Sequence, residues 1–172
     1  MKLRNLLTGA ATVAIIGSVS TTAFATPFEG SFTVESNQGS GLIINTLPVV
    51  DGTNNNNALD FSLEEGSTTT FDLFEIWTPE SSVNSDDENP QPIEVNFDFT
   101  VPEFSGTGTG VTTGLRFGFT GFIQKGGVTW NNPASLNFGD GGQLDIILSD
   151  ETFNWGALWG LNEGQGSGAT VE

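Results

Sequence analysis

No cysteine, histidine or tyrosine occurs anywhere in the 172 residues, and only four residues are cationic. Each absence narrows the chemistry. Without cysteine there is no disulfide, so the fold rests on a hydrophobic core alone. Without histidine or cysteine, zinc, copper and haem sites lose their usual ligands. A serine or threonine nucleophile likewise loses its usual base. Lys125 could serve a Ser-Lys pair in principle, but Gln124-Lys125-Gly126-Gly127 reads as a hairpin turn with a solvated lysine. Lys2 and Arg4 open the chain, which leaves Arg116 and Lys125 against 21 acids, a net charge of −19 over residues 26–172. Such a charge repels phosphate backbones and anionic headgroups, so nucleic acid and membrane headgroups are poor partner candidates. It also carries a self-repulsion that salt screens.

What is present begins with an export pattern. Met1-Lys2-Leu3-Arg4 is a charged start, Leu6 to Val19 a mostly apolar stretch, and Ala23-Phe24-Ala25 a small-x-small cleavage signal. Thr8, Gly9, Thr12, Gly17 and Ser18 interrupt the apolar stretch, which falls short of the roughly 20 residues a spanning helix needs. The expectation is a Sec-type signal peptide over residues 1–25, cleaved to leave Thr26 first, and a secreted or periplasmic protein without membrane insertion. Residues 26–172 are enough for one domain.

Beyond Thr26, glycine, threonine, serine, asparagine and phenylalanine dominate, a composition of strands and turns. The clearest strand runs Ile93 to Val101, where every second residue is apolar and the rest are polar. Shorter copies recur at Ser31–Glu35, Gly41–Leu47, Leu59–Leu63, Thr70–Trp77, Leu115–Ile123, Val128–Trp130, Leu136–Phe138, Leu144–Leu148 and Gly168–Glu172. Turn signals separate them at 51–57, 81–90, 105–110, 126–127, 131–133, 139–142 and 164–168. Short strands at this spacing predict an all-β fold, an antiparallel β-sandwich of jelly-roll type. A membrane-spanning barrel would need longer strands and aromatic girdles. Ser81 to Pro92 is the expected long exposed loop, and Gly106-Thr107-Gly108-Thr109-Gly110, which lacks the lysine and helix of a phosphate cradle, reads as a mobile one.

Three kinds of site survive on residue type. Hard cations such as Ca2+ take oxygens from Asp, Asn and backbone carbonyls. Candidate ligands are Asp51 and Asn55 in the asparagine-rich turn, Asp86 and Asp87 in the acidic loop, and Asp140 among glycines; no other cofactor is expected. Exposed tryptophans can form a sugar-binding platform, and the candidates are Trp155, Trp159 and Trp77. Phe153 to Gly160 is the segment where tryptophans sit among glycines, so it reads as a recognition loop. Paired carboxylates can hydrolyse glycosides; Asp145, Asp150 and Glu151 lie near Trp155, and Glu75 beside Trp77, with no spacing that selects a pair. No catalytic residue is assigned.

The chain resembles small exported β-sandwich proteins of Gram-negative bacteria, the choice-of-anchor or PEP-CTERM-associated type. The resemblance rests on the N-terminal signal, Phe71-Asp72-Leu73-Phe74-Glu75-Ile76-Trp77-Thr78, and Asn89-Pro90-Gln91-Pro92-Ile93 leading into the alternating strand; Leu136-Asn137-Phe138 and the run Gly142 to Leu148 extend it. The Thr-His-x-Asn motif of one such group has no counterpart, since there is no histidine, and no Pro-Glu-Pro anchor signal is present. The resemblance implies a surface or matrix role and transfers no functional residue. The expected function is a non-catalytic structural or adhesive protein whose partners are itself, other surface proteins or polysaccharide. The alternative is a carbohydrate-binding module using exposed tryptophans.

Overall fold

The computed structural model describes residues 24–36, 39–118 and 121–172, with the side chain of Asp51 also left out. The expected signal peptide therefore lies, except for Phe24 and Ala25, outside the described residues. Eleven strands follow: β1 (Thr26–Ser36), β2 (Asn45–Pro48), β3 (Ala58–Leu63), β4 (Phe74–Trp77), β5 (Gln91–Val101), β6 (Glu103–Phe117), β7 (Ile123–Trp130), β8 (Ala134–Phe138), β9 (Gly142–Ile146), β10 (Glu151–Ala157) and β11 (Ala169–Val171). Two short 3-10 turns are the only helical elements among the described residues, where no helix is long and apolar enough to cross a membrane.

The strands form a six-stranded sheet in the order β10-β7-β6-β5-β1-β3, a three-stranded sheet β11-β4-β2 and the hairpin β8-β9. Every strand pairing is antiparallel. The large sheet has two ends, β10 and β3, so it is open rather than closed on itself. Its inner face meets the two smaller sheets. Phe32 of β1 lies 6.3 Å from Phe74 of β4, which meets Trp130 of β7 edge-on at 6.3 Å. Phe28 and Phe104 contact Phe138 of the hairpin at 5.4 and 5.3 Å. The protein is an all-β antiparallel sandwich.

The alternation in β5 explains its place at the centre. Ile93, Val95, Phe97 and Phe99 are buried, while Glu94, Asp98 and Thr100 are exposed. Phe99 alone meets Phe28, Phe61, Phe97 and Phe104. Each fully buried phenylalanine contributes about 1.5–3 kcal/mol by leaving water, and well-placed ring pairs add about 0.5–1.5 kcal/mol more. With no cysteine in the chain, aromatic bulk holds the core.

Several expectations need correction. Gly106 to Gly110 is not a loop but the middle of β6, paired residue for residue with Ile93 to Phe97. Gly126 and Gly127 lie inside β7, so Lys125 is a strand residue opposite Leu115 rather than a turn lysine. Both errors have one cause. A side chain at Gly106 would strike Leu136, and one at Gly126 would strike the Phe153 ring, so these glycines make room for bulk from elsewhere. Phe153 to Ala157 is not loop but part of strand β10. The apolar run Leu115 to Ile123 is split between β6 and β7. Strands of 11 and 15 residues, β5 and β6, are longer than the short strands expected. Finally, Ser81 to Pro92 is not uniformly exposed: Val83 and Asp87 are buried, and Gln91 and Pro92 belong to β5.

The two layers are stitched along one side. Ser149 donates its backbone N–H to the carbonyl of Glu172, and Thr78, just past β4, donates its own to the side chain of Asn154 in β10. These bonds hold the edge from which the candidate site projects.

Candidate functional site

Strand parity divides the outer face of the large sheet into two unlike halves. On β5, β1 and β3 the outward positions Glu94, Asn96, Asp98, Glu29, Ser31, Thr33, Glu35, Asp60 and Ser62 are polar, interrupted by Pro27, Ala58 and Pro92. Glu29 stands directly opposite Asp60, and Glu35 opposite Glu94. On β6, β7 and β10 the outward rows are different. Thr113, Gly127 and Thr152 form one row, and Phe117, Ile123 and Ala157 another. Between them Leu115 faces Lys125, and Trp155 occupies the bulge on the far side of Lys125, because β10 slips register between Phe153 and Gly156. Phe117 and Trp155 are exposed, and the Lys125 ammonium sits 5.4 Å from the centre of the Phe117 ring.

The apolar half continues into the turn after β10. Leu158 and Trp159 are 70 % and 56 % exposed, and Trp155 is also 56 % exposed. Phe122 meets Trp159 edge-on at 5.3 Å, and the Trp159 N–H donates to the Phe122 carbonyl at 3.2 Å. Leu158 and Trp159 both hold left-handed backbone, φ 60° and 66°, which costs non-glycine residues energy. Two large apolar side chains kept in water on a strained backbone are a signature of a site rather than of packing.

Asn154 explains how the turn is held. It is completely buried and left-handed at φ 52°. Its side-chain oxygen accepts the Thr78 N–H at 2.7 Å, and its amide donates to the carbonyls of Asn162 at 2.5 Å and Gly164 at 2.8 Å. Asn162 returns a side-chain bond to the Trp155 carbonyl at 2.6 Å. Residues 154–164 are thus closed by one buried amide.

A second cluster lies within the segment 78–90. Asp87 is 1 % exposed; its Oδ2 accepts the Asn84 N–H at 2.7 Å, while its Oδ1 is buried without a donor. Glu80 accepts the Ile43 N–H through Oε1 at 3.3 Å, and its Oε2 is likewise buried without a donor. Burial first, and then the facing Asp87 carboxyl, push the Glu80 carboxyl above its ordinary value. Arg116 forks onto Glu88 at 3.0 and 2.5 Å, which lowers the Glu88 carboxyl and raises the guanidinium.

The structure sorts the remaining candidates. Trp155 and Trp159 share one corner; Trp77 points away on the outer side of the three-stranded sheet and is half-buried. Asn55 and Asp140 are exposed in separate turns, Asp86 is exposed in a third, and the side chain of Asp51 lies outside the described residues. In the asparagine-rich turn, Asn56 and Asn57 spend their amides on the carbonyls of Val50 and Phe32. Among the described residues no three metal-ligating side chains converge. Of the acids weighed for hydrolysis, Asp145 binds Ser135 on the β8-β9 hairpin, Asp150 accepts the Trp130 N–H, Glu75 binds Gln165, and Glu151 sits on β10. Sequence reasoning missed Phe117, Phe122, Lys125 and Glu80; only alternation through Leu115 and Phe117 hinted at the first.

Fold and surface together define a class: an antiparallel β-sandwich with an aromatic corner on a mostly acidic and polar sheet face. Comparison with protein-family models, curated proteins and solved structures gives no match, so no relative narrows that class.

Proposed function

We propose that this is an exported, non-catalytic protein that acts as an adhesive or structural component of the cell surface or extracellular matrix. The observation that carries the reading is the aromatic corner: Phe117, Phe122, Trp155, Leu158 and Trp159 are exposed beside a sheet half dominated by acidic and polar side chains. A contiguous exposed apolar patch of this kind marks a contact surface. The export pattern before Thr26, the start of β1 at that residue, and the resemblance to exported sandwich proteins of the anchor-associated type support the location.

A second reading, a carbohydrate-binding module using Trp155 and Trp159, is favoured by one further feature. Lys125 and the hydroxyls of Thr113 and Thr152 border the bare strip at Gly127, so aromatic plates and hydrogen-bonding groups adjoin, as pyranose rings require.

The experiment compares retention of wild type and of the double variant Trp155→Ala, Trp159→Ala on the surface polymers of expressing cells and on a panel of insoluble polysaccharides. At least a tenfold loss on cells is expected, and matching loss on one polysaccharide selects the second reading. Unchanged retention by a folded double variant refutes both uses of this corner.

A further inference from the structure

The segment 78–90 closes the end of the sandwich next to the aromatic corner. Val83 donates its N–H to the Gln124 side chain at 2.5 Å, Gly114 of β6 donates to the Asp87 carbonyl at 2.7 Å, and Leu161 donates to the Ser81 carbonyl at 2.8 Å. Within it, Asp87 Oδ1 and Glu80 Oε2 are both buried and neither accepts from another donor, so the two carboxyls face each other. Each carboxyl has spent its other oxygen on a backbone N–H, from Asn84 and Ile43 respectively. Two such oxygens on facing acids are an expensive arrangement unless positive charge meets them.

The chain itself offers little. Arg116 is close enough to feel Asp87, but its fork is committed to Glu88. Lys125 sits over Phe117. In a domain with 21 acids and two cations, what relieves the two carboxyls is either a proton held between them or a cation from solution.

We infer that Glu80 and Asp87 form a binding site for a divalent cation of the calcium type, which ties the two ends of the 78–90 segment to each other. Two bare carboxylate oxygens are hard donors, suited to Ca2+ rather than to metals that select nitrogen or sulfur. Mg2+ demands strict octahedral geometry and keeps its waters, whereas Ca2+ accepts irregular sets completed by carbonyls and water. The ion has a consequence at the corner: by fixing Ser81, it fixes the carbonyl from which Leu161 hangs, and with it the turn carrying Leu158 and Trp159. The site goes beyond the surface reading and stands or falls without it. Of the acids the sequence singled out, Asp87 belongs to it and the exposed Asp86 does not.

The test titrates Ca2+ into chelator-treated protein, followed by calorimetry and by thermal unfolding, with Mg2+ and NaCl at matched ionic strength as controls for general screening. One ion per chain is expected, with a Kd near the about 10⁻⁴–10⁻³ M of extracellular modules. Saturation should raise Tm by about 5 °C over the controls. Glu80→Gln keeps the Oε1 acceptor for Ile43 and should weaken binding at least tenfold; Asp87→Asn is the second variant, and whichever keeps the wild-type circular dichroism decides. Asp86→Asn, which removes a nearby charge but no ligand, should weaken binding far less than Glu80→Gln does. A Tm that responds to pH but not to Ca2+ shows that the facing carboxyls share a proton instead, and overturns the site. So does a Ca2+ response no larger than that to NaCl, or one that survives in Glu80→Gln.

Discussion

Replacing Asn154 with alanine tests how the aromatic turn is held. The substitution strands the Thr78 N–H, which lies in a fully buried residue, and the carbonyls of Asn162 and Gly164. An orphaned buried donor costs about 2 kcal/mol, and the two partly buried carbonyls, within reach of water, about 1 kcal/mol together. Alanine at φ 52° adds about 1 kcal/mol that asparagine, which tolerates left-handed backbone, largely avoids. The sum is about 4 kcal/mol, a large share of the about 5–15 kcal/mol that holds a domain together. With a urea slope of about 2 kcal/mol/M, the unfolding midpoint should fall by about 2 M. Asn154→Gly loses the same bonds without the backbone penalty, so its midpoint should lie about 0.5 M above that of the alanine variant. Urea unfolding followed by tryptophan fluorescence reads both. A fall of less than about 0.5 M for alanine would show that the buried amide does not hold the turn.

Other expectations follow from single contacts. Gly126→Ala drives a methyl group into the Phe153 ring beneath β10 and should lower stability by about 1–3 kcal/mol by chemical denaturation; a neutral effect would mean that β10 moves freely. Asp145 accepts from Ser135 at 2.6 Å and Gln143 at 2.7 Å, which holds its carboxyl below its ordinary 3.8. A lowered acid contributes stability above the ordinary value and loses it as pH falls through the folded one. Asp145→Asn should therefore flatten the stability curve below about pH 4, measured by Tm against pH, with no slope change near neutrality.

Parts of this architecture could be read directly and parts could not, for physical reasons. Ile93 to Val101 was legible because its own side chains fill the core on one face and meet water on the other. Its partner was not, because Gly106 and Gly110 also alternate with threonine but contribute no bulk; Leu136 and Trp130 fill their places from other strands. A period of two with hydrogen in the inward slots looks like a loop until the neighbouring side chains are known. Trp155 and Trp159 were legible as a surface because glycines surround them. Phe122 and Lys125 join that surface only through the pairing of β6, β7 and β10. Glu80 and Asp87 lie in a loop where every acid looks solvated, and only the fold of 78–90 over Gly114 buries one and half-buries the other.

The opposed acids Glu29 with Asp60 and Glu35 with Glu94 have an effect of their own. Like charges placed face to face give up some stability within the sheet, yet they also forbid a dry contact there. Any copy that stacked on this half would have to strip hydration from two ranks of carboxylates at once. Layered growth, the hazard of every flat β surface, is thereby closed on one side of the molecule.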